Sequence, residues 1–374
     1  MKEHLKGMLW IKKSGAYGLI LGLIFLLAWQ SEAVISAACE AMVLCYRSVI
    51  PSLFPFFVLS GWLVFCGFAD LCARRLSPLM MPVFCVGGAG SLALVMGLIS
   101  GYPTGAKMTA ELYSVGHLSC TEAERLLPFC NNSGPLFVVG AVGSAMLGSR
   151  FYGMVLYVVH VASAVLVGVI FRFYKRGEPV MVSRKRQRTC EVMGILKGFS
   201  TSVKDSVQTM MQVCGYIILF AALGTGIMAV LKEVAPSFVL FGFRILLEVA
   251  GGTFFITQSA LPQRVMLSLL SFCIGTGGLC VMMQTAGILS DKGLGFKTYV
   301  PGKLLQGVLS GVMTYFIYPF LPMEAAKTQN AATAVSAILF REQTRWQEGW
   351  IFLCIAFCFL SAAIVLWKMV KSER

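Results

Sequence analysis

Apolar positions along this chain gather in blocks of about 20 residues, the length that carries an α-helix across a bilayer core. The blocks fall at about 16–38, 51–70, 126–147, 152–173, 210–231, 265–290, 299–320 and 348–367, which predicts about eight transmembrane helices. Two further apolar stretches do not fit a straight span. One runs from about Ser77 to Gly116 and is broken at Ser100-Gly101-Tyr102-Pro103-Thr104-Gly105; the other runs from about Pro236 to Leu261 and is broken at Gly251-Gly252. Each is too interrupted for one span and too short for two. Re-entrant helical hairpins fit both, a form tolerated at membrane depth where the backbone is buried in protein or lines a cavity. The segment from the first span to Ile50 reads equally as one bent helix or as two elements.

Composition adds that the whole chain belongs to this pattern. Only 13% of the 374 residues are charged and 57% are hydrophobic, against roughly 25% charged in a soluble domain. Mean hydropathy is +0.78. The deficit of charge is spread along the length, so no segment has the composition of a water-facing shell. The fold class expected is an all-α polytopic membrane protein. The basic start (Met1–Lys13) and the apolar run Ala16–Trp29 resemble a signal peptide. No small-residue cleavage site follows, and a retained first span is the expectation.

Charge then orients the layout. The net charge of +14 comes from 31 Lys and Arg against 17 Asp and Glu. In a soluble protein this balance would suggest nucleic acid; here it reads as cationic cytoplasmic loops, and no nucleic-acid partner is expected. With eight spans and two hairpins, Lys2, Lys6, Lys12 and Lys13, then Arg74 and Arg75, then Lys175, Arg176, Arg184, Lys185, Arg186 and Arg188, and finally Lys368, Lys371 and Arg374 all fall on one side. That side is the cytoplasm, and both termini lie on it. The mixed-sign loop at about 321–347 falls outside. The thirteen cysteines form no CxxC pair, and those inside apolar runs act as small hydrophobes. Neither a metal site, a disulfide framework nor a cofactor is expected.

The most informative pattern is an internal repeat. Leu126-Leu127-Pro128-Phe129-Cys130-Asn131-Asn132-Ser133-Gly134-Pro135-Leu136 aligns with Leu269-Leu270-Ser271-Phe272-Cys273-Ile274-Gly275-Thr276-Gly277-Gly278-Leu279. Both are apolar helices interrupted midway by glycines and small polar residues. Each half reads span, hairpin, broken span, span. That is an odd number of crossings, so the second copy is inverted, as in many secondary transporters.

Candidate chemistry sits at the interruptions. Ser100, Gly101, Tyr102, Thr104, Gly105 and Lys107 surround a break after which Thr104–Val115 can restart as a helix. A helix start presents free N–H groups and partial positive charge, which suits an anion. Lys107 at membrane depth is a candidate for binding it, or else pairs with Glu111 one turn on. The spacing is not that of a P-loop. Asn131, Asn132 and Ser133 precede Pro135, whose missing N–H frees carbonyls in the preceding turn; they suit a polar ligand, or else tight packing. In the second half, Glu248 before Gly251-Gly252-Thr253 is a candidate for a coupling proton or cation, or else a partner for Arg244. Thr276 lies in Gly275-Thr276-Gly277-Gly278, with Gln284 a weaker candidate. Catalytic readings find little support. No HExxH motif occurs, Ser100 lacks the spacing of a rhomboid-like protease, and His117 and His160 read as structural.

Three stretches occur in a distinctive order: Pro51-Ser52-Leu53-Phe54-Pro55-Phe56-Phe57-Val58-Leu59-Ser60, Ser100–Lys107, and Phe129–Phe137. In these the chain resembles the YlbJ-like sporulation integral membrane proteins, also called stage V sporulation protein V, of the nucleoside-recognition or Gate domain superfamily. The resemblance covers about 48–319. Asn132 stands where the family often has Ser or Thr, and Thr104 where it often has Ala. The resemblance implies a Gate-like first repeat at 48–174 and a second, inverted one at 206–320. A tail and first span (1–47), a basic cytoplasmic segment (175–205) and an external loop with a last span (321–374) complete the chain. It also implies a fold like that of concentrative nucleoside transporters, a place in the mother-cell-derived outer forespore membrane, and movement of dipicolinic acid. Homo-oligomers are compatible with the fold. Dipicolinate is a planar aromatic dicarboxylate. Lys107 and the helix start suit one carboxylate, Asn131, Asn132 and Ser133 the second or the ring nitrogen, and Tyr102 the ring face. A permease for a neutral nucleoside-like or cationic solute, and a non-transporting scaffold for spore assembly, are the competing expectations.

Overall fold

The computed structural model describes residues 2–175, 177–178 and 192–321, and every regular element among them is helical. The expected last span at 348–367, the loop before it, and residues 176 and 179–191 of the basic segment lie outside the described residues. The helices are α1 (Lys2–Trp29), α2 (Ser31–Leu44), α3 (Ile50–Phe65), α4 (Phe68–Phe84), α5 (Gly90–Ser100), α6 (Thr104–Ser114), α7 (Cys120–Cys130), α8 (Arg150–Phe171), α9 (Val192–Val234), α10 (Ser237–Leu247), α11 (Val249–Thr257), α12 (Gln263–Thr276), α13 (Gly278–Ser290) and α14 (Tyr299–Ile317). A π turn, Cys45–Val49, joins α2 to α3, and a π-helical segment, Leu136–Met146, follows α7.

Large apolar side chains point outward and polar ones inward. On α14, Leu304, Val308, Val312 and Phe316 are exposed, while Tyr299, Lys303, Gln306, Ser310 and Thr314 are buried. In water such an apolar exterior would drive association; against lipid it is the favourable arrangement. Four stretches are long and apolar enough to cross a membrane: Ser31–Phe65, Arg150–Phe171, Leu196–Val234 and Gln263–Ser290. Shorter apolar helices at Tyr17–Trp29, Gly90–Ser100 and Leu136–Met146 accompany them. The chain is an integral membrane protein whose described residues form helices and no strands.

Several boundaries differ from the hydropathy blocks. The block at 16–38 straddles two helices that part at Gln30, and α2 runs on through the π turn into α3. The block at 51–70 ends at Gly67, whose φ of +80° favours glycine and starts α4 anew. The second broken stretch parts at Glu248 rather than at Gly251-Gly252. Glu248 is extended, and its carboxylate accepts from the backbone N–H of Ala250 (2.9 Å) and Gly251 (2.6 Å), capping α11 and holding both glycines inside the first turn.

The order of interruptions repeats. α5 and α6 are parted at Gly101 (φ +86°), and α7 and the π segment at Asn131–Pro135. In the second half α10 and α11 part at Glu248, and α12 and α13 at Gly277 (φ +75°). In each half the first break packs on the second. A Cβ on Gly101 would lie 2.9 Å from the Gly134 nitrogen, and one on Gly278 would lie 3.3 Å from the Glu248 Cα. Glycine allows this approach of backbone to backbone. A Cβ on Gly97 or Gly105 would fall 1.8 or 2.1 Å from the Cys130 carbonyl oxygen.

One end of α7 is fixed by polar bonds. Ser119 and Glu122 form a reciprocal capping box, and Glu122 also accepts from the Gly87 N–H (2.8 Å). Arg125, buried, donates to the carbonyls of Cys85 (2.9 Å), Tyr174 (2.8 Å) and Lys175 (2.6 Å). These bonds tie α7 to the end of α4 and the end of α8, which sets where the Asn131 break falls.

Candidate functional site

The break after Cys130 faces a polar stripe on α14. Tyr299, Lys303, Gln306, Ser310 and Thr314 recur every three or four residues, which puts them on one helix face, and all five are buried. Lys303, 0% exposed, donates to the Asn131 carbonyl (2.8 Å) and to Gln306 Oε1 (2.5 Å). Gln306 Nε2 donates to Asn132 Oδ1 (2.9 Å) and to the His160 carbonyl (3.3 Å). Asn132 Nδ2 donates back to the Phe129 carbonyl (2.6 Å). The Asn131 amide lies 2.8 Å from the Tyr299 hydroxyl and 3.1 Å from that of Thr285. Both partners can donate as well as accept, so Asn131 can present either end of its amide to the break. Ser133 gives its backbone N–H to His160 Nε2 (3.0 Å). No carboxylate among the described residues forms an ion pair with Lys303.

Around this network, buried polar atoms stand without a hydrogen-bond partner among the described residues. They are the hydroxyls of Ser100, Tyr102, Thr104 and Ser133, Asn131 Oδ1 and His160 Nδ1. Each such atom costs about 1–3 kcal/mol. They are concentrated at two packed breaks, where a water or another polar partner can meet them. The Tyr102 hydroxyl lies near that of Ser133 without hydrogen-bond geometry. Its ring packs against a core cluster drawn from both halves, close to Gly277 of the second half. Tyr102 therefore joins the first half's hairpin break to the second half's broken span.

The expected site residues fall into two sets. Ser100, Gly101, Tyr102, Thr104, Gly105, Asn131, Asn132 and Ser133 come together at the two first-half breaks. Lys107 is buried, and its ammonium has partners on its own helix α6 and on two neighbouring helices. It donates to Ser206 on α9 (3.2 Å), lies 3.6 Å from Glu111 Oε1 and sits 4.6 Å over the Phe57 ring of α3. Thr253 and Thr276 turn their hydroxyls back to carbonyls of their own helices, Ala250 and Cys273 (both 3.0 Å). Glu248 caps α11, and no ion pair joins it to Arg244, whose guanidinium lies 4.6 Å from the Phe255 ring centroid.

Lys303, Gln306, Tyr299, Thr285 and His160 were not anticipated as site residues. A signal for the first two was present. A lysine inside an apolar block is a functional candidate by default, and Lys303 begins a run of polar residues at helical spacing. An apolar groove of 530 Å³ between α1 and α9, lined by Leu19, Phe25, Trp29 and Val230, contains none of the site residues; its chemistry is that of a lipid contact.

No family model and no solved structure matches the chain. It is similar to the "Sporulation integral membrane protein YlbJ" of Bacillus subtilis (strain 168), with 33% identity over a match that spans 77% of this chain and 78% of that protein. Identity at that level across most of both chains places this protein in the family of sporulation integral membrane protein YlbJ.

Proposed function

We propose that this protein is a secondary transporter of a small organic anion, dipicolinate, across the outer forespore membrane, with both termini on the cytoplasmic side. Lys303 carries this reading. It is a fully buried lysine with two neutral acceptors and no carboxylate partner among the described residues, set against a cluster of polar atoms that those residues leave unpartnered. A buried cation without a counter-ion favours an anionic ligand, because the ligand charge replaces the lost hydration. Ser100, Thr104 and Ser133 supply hydroxyl donors, the start of α6 adds partial positive charge, and the Tyr102 ring offers a flat face to an aromatic solute.

The proposed architecture is eight spans and two re-entrant hairpins in two inverted halves. The repeated order of hairpin break, broken span and span supports it. So does the packing of break on break in each half. Because the site is buried, solute reaches it only when one half moves against the other. Tyr102, held between the halves, is placed to sense that motion. The mixed polar and charged character of the stripe excludes lipid and lets the solute exchange water for fixed donors.

Uptake of radiolabelled dipicolinate into liposomes carrying the purified full chain, under an imposed proton or sodium gradient, tests the proposal. Saturable flux above empty vesicles is expected. Folded protein that moves no dipicolinate under either gradient contradicts it.

A further inference from the structure

His160 borders the Lys303 network through its carbonyl and Nε2, but its Nδ1 is used by none of the contacts described. It is 1% exposed on α8. The Ser133 backbone N–H can only donate, so His160 Nε2 accepts, and the ring proton resides on Nδ1. The ring is thereby fixed as a neutral imidazole presenting one N–H. That Nδ1 has no partner among the described residues. The ring is held on one side by the α7 break through Ser133, and its own carbonyl is held by Gln306, which also binds Lys303 and Asn132. A donor this well fixed and left unpaired is aimed at an acceptor that is not part of the described chain.

We propose that His160 is a solute-binding residue that sets specificity, giving its Nδ1–H to a neutral acceptor atom of the transported anion. This rests on the transport reading above. For a pyridine dicarboxylate the acceptor is the ring nitrogen. The carboxylates take the cation of Lys303 and the free hydroxyls, while the neutral imidazole donor matches the neutral nitrogen between them. The solute class is a planar anion whose ring carries a nitrogen acceptor. An isosteric benzene dicarboxylate places a C–H against the same donor and leaves it buried and unpaired.

Two substitutions separate this role from a structural one. His160→Gln places a carbonyl where Nε2 lies, keeping the acceptor for Ser133, and removes the Nδ1 donor. His160→Asn can place a donor near the Nδ1 position and loses the acceptor at Nε2. The experiment is competition by unlabelled dipicolinate and by isophthalate (benzene-1,3-dicarboxylate) against radiolabelled dipicolinate uptake in liposomes, with each variant's fold checked by size-exclusion elution. The wild type is expected to favour dipicolinate over isophthalate by about tenfold or more, in line with one buried hydrogen bond. His160→Gln is expected to lose that preference to within about twofold, while His160→Asn retains more of it. A folded His160→Gln protein with wild-type preference overturns the inference and leaves the transport reading standing, as does a wild type that competes equally with both acids. Absence of any wild-type flux removes both.

Discussion

At the scale of single residues, two buried lysines divide the chemistry. Lys107 has a carboxylate, a hydroxyl and an aromatic face around it; Lys303 has one carbonyl and one amide oxygen. Replacing Lys303 by Gln removes the charge and is expected to weaken dipicolinate uptake by about tenfold or more, since bonds to charged groups contribute about 1.5–3 kcal/mol. Replacing Lys107 by Gln is expected to lower thermal stability, by leaving the half-buried Glu111 without its partner, and to change the apparent KM for uptake by less than about threefold. Melting curves and initial rates on the two variants separate the effects. Lys107 was legible in the sequence because glycine and proline frame it. Lys303 also follows a proline and a glycine, Pro301 and Gly302, but they sit in the first turn of a helix that runs on to Ile317, and its polar companions at every third or fourth position thin out in a hydropathy window. The pairing of Gln306 with Asn132, 174 residues apart along the chain, has no local signature at all.

At the scale of elements, the breaks are made by different devices and fail differently. Gly97 and Gly105 bracket a backbone contact with Cys130 that leaves no room for a methyl group. Gly105→Ala is expected to cost about 3 kcal/mol or more, because the obstructing atom is a carbonyl oxygen in the backbone of a buried helix end rather than a flexible side chain. A fall in melting temperature and in the yield of folded protein checks this. Ser119→Ala, removing one arm of the capping box, is expected to cost only about 1 kcal/mol, read by the same melt. Glu248 gives a third case. If its role is the cap on α11, Glu248→Ala lowers the melting temperature and Glu248→Asn recovers most of the loss, since a short amide caps as well as a carboxylate. The glycines of the first-half breaks were readable from sequence. The second hairpin was also expected, but its break was misplaced by three residues, because Gly251-Gly252 is the stronger helix breaker by composition and a carboxylate reaching forward to two N–H groups overrides it.

At the scale of the whole molecule, the sequence carried the class of protein and the order of its parts. Composition alone excludes a water-facing shell, and apolar side chains do face outward on α8 and α14. The likeness of Leu126–Leu136 to Leu269–Leu279 anticipated two broken helices, and both are broken, at Asn131–Pro135 and at Gly277. What the pattern could not convey is which breaks touch. Contact between Tyr102 and the second half, and between α14 and the α7 break, depends on packing among helices far apart in sequence. The relative it matches is named a sporulation integral membrane protein; the anion site rests on Lys303 and the unpartnered atoms near it. Equilibrium binding of radiolabelled dipicolinate to the purified chain tests that argument most directly, because it needs neither a gradient nor turnover. Saturable binding that is weakened about tenfold or more by Lys303→Gln, and by less than about threefold by Lys107→Gln, is the predicted result. Binding that survives Lys303→Gln unchanged in folded protein would contradict the account.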